Sequence, residues 1–104
     1  MLVPFPFSDL SQSKLRPAVV LAGVGRSDFI LCQITSNEYS DPDVVPLGAG
    51  DFATGSLRRD SFARPGKLFT ASIGLVVAEV GVLKKASRDR VIGTVISLLR
   101  KGLS

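Results

Sequence analysis

Short apolar runs rich in Val, Ile, Leu and Phe occupy most of the chain and are separated by Gly, Pro, Asn and Asp. Runs of this length, bounded by turn-forming residues, are typical of β-strands. Strands are predicted over residues 2–5, 17–22, 29–35, 44–47, 57–63, 67–71 and 75–82. We expect Pro6 to end the first strand and Pro17 to start the second, because proline cannot donate a ladder hydrogen bond. Turns at residues 23–28 and 64–66 are predicted to join the strands on either side of them.

The spacing of apolar positions changes towards the C-terminus. Five of them follow the order i, i+1, i+4, i+5, i+8, namely Val91, Ile92, Val95, Ile96 and Leu99. This spacing places them on one stripe of an α-helix, with Ser87 as a suitable N-cap and Gly102 as a suitable C-cap. We therefore predict one domain over residues 1–104. It is mostly β, a small antiparallel sheet or barrel with one C-terminal α-helix.

Charge is distributed unevenly along the 104 residues, whose formal net charge is +4. Residues 1–52 carry three basic and six acidic side chains, whereas residues 53–104 carry ten basic and three acidic ones. A basic half favours a polyanionic or acidic partner. Basic side chains that only solvate an exposed helix would give the same count.

The composition excludes several kinds of site. Histidine is absent and Cys32 is the single cysteine, so His/Cys zinc sites, Ser-His-Asp triads and intrachain disulfides are excluded. Cys32 lies in an apolar strand and is predicted to be a small buried hydrophobe. We interpret Asp41, Asp43 and Asp51 as solvated loop charges, and no metal or cofactor site is predicted. No secretion signal or membrane-spanning run is visible, which favours a cytoplasmic protein.

Polar residues interrupt the strand pattern at three places. Arg16 precedes one predicted strand, Thr35 and Ser36 close the next, and residues 58–60 (Arg-Arg-Asp) lie in a third. Pairing of the first two strands as a hairpin would bring Arg16 and Thr35 to one rim. A guanidinium fork and a hydroxyl together suit a phosphate group. The alternative is that Arg16 is an exposed strand-end residue and Thr35 an ordinary β-former.

Five segments, in this order, resemble the PemK/MazF family of toxin–antitoxin ribonucleases. They are VPFPFSDL at 3–10, KxRPAVVL at 14–21, QITS at 33–36, LxxDSFxRPxKLF at 57–69 and GxL at 81–83, followed by the helix. The resemblance implies an SH3-like barrel of the CcdB/MazF type with a C-terminal helix, assembled as a homodimer. It implies metal-independent, sequence-selective cleavage of single-stranded RNA and inhibition by a cognate antitoxin.

The resemblance also implies roles for individual residues. Arg16 and Thr35 match the family's catalytic pair. Further catalytic or RNA-binding candidates are Asp60, Arg58, Ser36, Asp9 and Lys14, and candidates for contact with the RNA backbone are Arg59, Arg64 and Lys67. The loop before Arg16 holds no carboxylate nearer than Asp9, so Asp9 and Asp60 both stay candidates for the general base.

Two other functions fit the same predicted fold. A CcdB-like toxin would bind DNA gyrase and cut nothing. A non-catalytic SH3-like module would bind protein or RNA without turnover. The Arg-Pro-Ala-Val-Val-Leu and Ile-Thr segments favour the nuclease over both.

Overall fold

Seven strands and a C-terminal helix form in the part of the chain that the computed structural model describes. That part comprises residues 2–8, 13–36, 42–57, 60–72 and 81–103, with the backbone alone at 3–8 and 13–15. The strands are β1 (Leu2–Ser8), β2 (Ser13–Val24), β3 (Asp28–Thr35), β4 (Val45–Leu47), β5 (Phe52–Gly55), β6 (Ser61–Ser72) and β7 (Gly81–Leu83). A 3₁₀ turn, Ala49–Asp51, precedes β5, and the helix α1 spans Lys85–Lys101. The predicted class, mostly β with one C-terminal helix, is confirmed. No helix in the described ranges is long and apolar enough to cross a membrane.

The strands form one sheet in the order β4-β6-β3-β2-β1-β7-β5, and each neighbouring pair is antiparallel. The predicted hairpin of β2 and β3 is confirmed, and β4, at one edge of the sheet, matches the strand predicted at 44–47. Most of the strand predicted at 75–82 lies outside the described residues. The 3₁₀ turn and β5 lie at residues 49–55, where no regular element was predicted.

Both faces of the sheet bury apolar side chains. One face forms the main core with α1 and includes Val19, Cys32, Ile34, Ala63 and Val91. The opposite face carries a smaller cluster in which Ala18, Leu31 and Ala71 are buried and Val20, Phe29 and Phe69 are half-buried. Because successive strand residues point to opposite faces, a strand covered on both sides needs a continuous apolar run. This explains the run that follows Pro17.

The prolines of β1 and β2 lie within strands and do not bound them as predicted. β1 continues through Pro6 to Ser8, and β2 begins four residues before Pro17. Pro4 and Pro6 are two positions apart, so both missing N–H groups fall on one edge of β1. Between Val3 and Ser8 the described partner of β1 is β2 alone, so the other edge of the strand tolerates them. Ladder pairing of β2 with β3 begins immediately after Pro17, at Ala18.

The segment at 64–66 is a bulge within one strand, where a turn between two strands was predicted. β6 runs unbroken from Ser61 to Ser72, and its register with β3 shifts between Cys32 and Ile34. On β6 the partners of those two residues are Leu68 and Ala63, so residues 64–67 oppose the single residue Gln33. Pro65 is fully buried in this bulge, which directs the strand around the core.

An Asp51 carboxylate attaches α1 to the sheet. Its Oδ1 accepts hydrogen bonds from the Ser87 hydroxyl (2.7 Å) and from an Arg90 Nη (3.0 Å), and its Oδ2 accepts one from the Gly48 N–H (2.7 Å). Burial disfavours ionisation, but these bonds and the Arg90 charge outweigh it and lower the pKa of Asp51. Asp51 is therefore a structural anchor and not the solvated loop charge predicted.

The ends of α1 differ from the predicted caps in one respect. Lys84 is the N-cap residue, and Ser87 lies buried in the first turn, where it binds Asp51. Gly102 is the predicted C-cap, with φ +64° and its N–H bonded to the Leu98 carbonyl at 3.2 Å. Of the predicted apolar stripe only the N-terminal part is covered. Val91 is fully buried, whereas Leu99 is 73% exposed.

Candidate active site

The hairpin of β2 and β3 places Arg16 and Thr35 on neighbouring strands. Ala18 pairs with Gln33, and Arg16 and Thr35 each lie two residues beyond that pair. Arg16 also pairs with Phe5 of β1, and Thr35 with Phe62 of β6. The spacing of two puts Arg16 on the face of Ala18 and Thr35 on the face of Gln33. Both residues therefore share the face opposite the main core.

The two residues differ in their exposure. Arg16 is half-buried, and Thr35 is 5% exposed at the last position of β3. Within the described ranges no carboxylate lies within ion-pair distance of Arg16. A fork of N–H donors beside a hydroxyl, on a partly dry sheet surface, suits an anion with several oxygens, such as a phosphodiester.

Gln33 and Arg64 extend this face towards β6. Arg64 Nη1 donates to Gln33 Oε1 at 3.4 Å, and both side chains are half-buried. The backbone of Arg64 is held in turn, because its carbonyl accepts the Cys32 thiol at 3.1 Å. Sequence reasoning placed Arg64 in the site but missed Gln33, which stands two residues before Thr35 in the QITS segment.

Cys32 is the buried, inert thiol that the sequence predicted. It is fully buried on the main-core face. Burial raises its pKa to about 11, and the opposing effect of the hydrogen bond with the Arg64 backbone is smaller. A thiol with that pKa is almost entirely protonated near neutral pH and is a poor nucleophile.

Asp60 and Ser36 lie at the ends of the strands that meet here. Both are exposed, Ser36 directly after β3 and Asp60 directly before β6. Asp60 Oδ1 lies beside Gly48, since a Cβ placed on that glycine would be 3.6 Å from it. Gly48 directly follows β4, so the carboxylate lies on the β4 side of Thr35 and Arg16 lies on the other side.

The remaining candidates are only partly described. Lys67 is exposed and lies in the same β6 bulge as the half-buried Arg64. Lys14 pairs with Phe7 through the backbone of β2 and β1. Asp9, Arg58 and Arg59 lie outside the described residues. The described ranges contain no group of three or more His, Cys, Asp or Glu side chains close enough to hold a metal ion.

Comparisons with known proteins agree with this architecture. No protein-family model matches the chain, and no curated protein sequence matches it. Solved structures do match. The Mycobacterium tuberculosis toxin MazF-mt6 aligns with a TM-score of 0.65 at 15% identity, over 90% of this chain and 93% of that one.

The chain has the MazF toxin fold. A second solved structure, an endoribonuclease from Mycobacterial species, aligns with a TM-score of 0.68 at 16% identity, over 95% of this chain and 88% of its own. A third, a mycobacterial endoribonuclease in complex with its cognate antitoxin, gives a TM-score of 0.68 at 16% identity, over 98% and 93% of the two chains. The likeness extends over nearly the whole of each of these three chains and concerns the fold.

Proposed function

We propose that this chain is the toxin of a type II toxin–antitoxin pair and a metal-independent endoribonuclease for single-stranded RNA. The observation that carries the proposal is the placement of Arg16 and Thr35 on one face of adjacent strands. The fold supports it, because solved proteins with this fold are toxins and endoribonucleases. The basic half of the sequence is the third support, since single-stranded RNA is a polyanion.

RNA carries its own nucleophile beside each phosphate. In the proposed reaction the 2′-oxygen attacks phosphorus, the new P–O2′ bond forms and the P–O5′ bond breaks. The 2′-hydroxyl proton passes to a general base, and the leaving 5′-oxygen takes up a proton. The products are a 2′,3′-cyclic phosphate and a 5′-hydroxyl end. The chain's task is to hold the strand in line for this attack.

Arg16 and Thr35 act on the charge that develops during the attack. The phosphorane-like transition state gathers negative charge on its non-bridging oxygens. The Arg16 guanidinium binds two of these oxygens, and the Thr35 hydroxyl hydrogen-bonds at the same phosphate. Asp60 is a candidate base on the β4 side of Thr35, and Asp9 is the other candidate.

We also propose the partners that accompany this activity. Arg58, Arg59, Arg64 and Lys67 follow the RNA backbone, so binding weakens as the salt concentration rises. An acidic antitoxin segment competes for the same surface in the cytoplasm. The chain forms a homodimer, and the exposed apolar side chains of Ile96 and Leu99 on α1, and of Leu103 just beyond it, support association of copies.

The test is cleavage of a single-stranded RNA in excess EDTA, with the new ends mapped. Wild type is expected to yield 2′,3′-cyclic phosphate and 5′-hydroxyl ends, and Arg16→Ala to lose about 10²–10³ in rate. Arg26→Ala is the matched control, because Arg26 is an exposed arginine in the turn at the far end of the same hairpin. Ends with 5′-phosphates, or equal losses in both variants, would refute the mechanism.

The two other candidate functions make different predictions in the same experiment. A gyrase-binding toxin would leave the RNA intact. A binding module would retain the RNA and release no products. DNA of the same sequence lacks the 2′-hydroxyl and is expected to bind without being cut.

A further inference from the structure

Gln33 has the position of a residue that contacts the substrate, although the proposed chemistry gives it no task. It lies two residues before Thr35 on β3 and therefore on the same face as Thr35 and Arg16. Its cross-strand partner is Ala18, whose methyl group leaves room for the longer amide. The Gln33 side chain is half-buried, so a hydrogen bond made there would be partly shielded from water.

Arg64 fixes which end of the Gln33 amide is presented. A guanidinium has only donors, so the 3.4 Å contact from Arg64 Nη1 requires the amide oxygen on that side. The amide nitrogen, with its two N–H donors, then points away from Arg64. The Cys32 thiol and the buried Pro65 hold the backbone on either side of this contact. The site therefore presents a fixed donor and not an amide free to rotate.

We propose that Gln33 reads one base next to the scissile phosphate. Its NH₂ group donates to O4 of uracil or O6 of guanine and disfavours cytosine and adenine, which carry a donor amino group at the corresponding position. This inference rests on the proposed ribonuclease function and adds a specificity residue to it. Arg64 acts on the same choice by positioning the amide, besides any contact it makes with the RNA backbone.

Gln33→Glu is the sharpest test, because it keeps the shape and the Arg64 contact. One carboxylate oxygen replaces Oε1 beside Arg64, and the other replaces the NH₂ group with an acceptor. The expected result is a reversed base preference at one nucleotide position. If the wild type prefers U to C there, the variant prefers C to U, and if it prefers G to A, the variant prefers A to G. One hydrogen bond gained or lost corresponds to about a 10-fold change in relative rate. Gln33→Leu removes both the donor and the acceptor of the amide. We expect the ratio of the cleavage rates for the two bases to fall close to one.

The experiment uses a single-stranded RNA pool with a randomised segment and sequences the cleaved ends. Ala53→Glu adds the same negative charge to an exposed position of β5 and is expected to keep the wild-type profile. Thermal melting of each variant separates loss of folding from loss of recognition, and Gln33→Glu decides the matter where Gln33→Leu does not fold.

The outcomes separate the two proposals. An unchanged base profile in a folded, active Gln33→Glu variant would overturn the role of Gln33 and leave the nuclease proposal intact. An equal loss at every RNA sequence would also overturn it, because the residue would then act on the shared backbone. A folded wild-type protein that cleaves no RNA in the pool would overturn both.

Discussion

At the level of single residues, the proposed site consists of two side chains that lie 19 positions apart in the sequence. Arg16 and Thr35 become neighbours because Ala18 pairs with Gln33 in the hairpin. A threonine in a strand needs no functional explanation, since β-branched residues are favoured there. The presence of an arginine on the next strand and the same face is what makes the hydroxyl of Thr35 a candidate ligand for a phosphate.

Thr35→Val separates the hydroxyl from the shape of the side chain. Both residues are β-branched and similar in volume, so we expect the strand to be kept and RNA cleavage to fall about 10²–10³-fold. Thr35→Ser is expected to restore most of the rate, because it returns the hydroxyl. Thr70→Val, on an exposed position of β6, serves as the control. A Thr35→Val enzyme as fast as Thr70→Val would exclude the assigned role.

At the scale of elements, the helix α1 is held to the sheet by a polar contact as well as by Val91. Asp51 binds Ser87, Arg90 and the Gly48 N–H, while the Lys84 N–H donates to the Asp51 carbonyl at 2.8 Å. Arg90 also donates to the Pro46 carbonyl at 3.0 Å. The carboxylate thus joins the end of β4, the 3₁₀ turn and the helix, three elements that share few other polar contacts in the described chain.

Asp51→Ala is expected to lower the free energy of unfolding by about 2–3 kcal/mol, because it removes hydrogen bonds to a partly buried charge. Urea denaturation measures the change. Asp89→Ala is the control, since the ion pair of Asp89 with Lys85 lies on the exposed side of the helix at 3.7 Å and such pairs contribute little. Equal effects of the two substitutions would show that Asp51 does not anchor the helix.

The same anchor predicts a dependence of stability on pH. The pKa of Asp51 is lower in the folded protein than its ordinary value of 3.8, so its ionised form stabilises the fold. The contribution is complete above pH values near 3.8 and is lost as the pH falls through the lower folded pKa. Urea midpoints of wild type and Asp51→Ala are therefore expected to converge in acid. A difference that stays constant from neutral pH to pH 3 would contradict this.

At the scale of the whole molecule, the parts predicted from the sequence are those that local patterns determine. The β2–β3 hairpin follows from two apolar runs around a Gly-containing turn, and α1 follows from its helical repeat. The β6 bulge could not be found in this way, because Pro65 and Gly66 form a turn in most contexts. Pairing with β3 on both sides of the bulge and the burial of Pro65 keep the strand continuous.

The contacts that the sequence did not predict join residues distant along the chain. Asp51 meets Ser87, 36 positions later, and Arg64 meets Gln33, 31 positions earlier. Neither residue type specifies such a partner. A serine before a helical repeat predicts an N-cap, because its hydroxyl can accept a backbone N–H of the first turn. In the fold Ser87 is instead buried in the first turn, where its hydroxyl donates to the Asp51 carboxylate.

The uneven charge distribution is a property of the whole chain, with ten of the 13 basic residues in its second half. RNA affinity is expected to fall linearly with salt on logarithmic axes, and each phosphate contact contributes about 0.7 to the slope. Lys67→Ala is expected to reduce the slope by about that amount. Lys85→Ala, on the exposed side of α1, is expected to leave it unchanged. Equal slopes for the two variants would remove Lys67 from the RNA path.

A double-mutant cycle on RNA cleavage tests whether Arg16 and Thr35 act on one phosphate. If both stabilise the same developing charge, the losses of Arg16→Ala and Thr35→Val overlap. The double variant is then expected to be slower than wild type by about 10³-fold, close to the larger single loss. Losses that multiply fully, to about 10⁴–10⁶-fold, would show that the two side chains act independently and not on one phosphate.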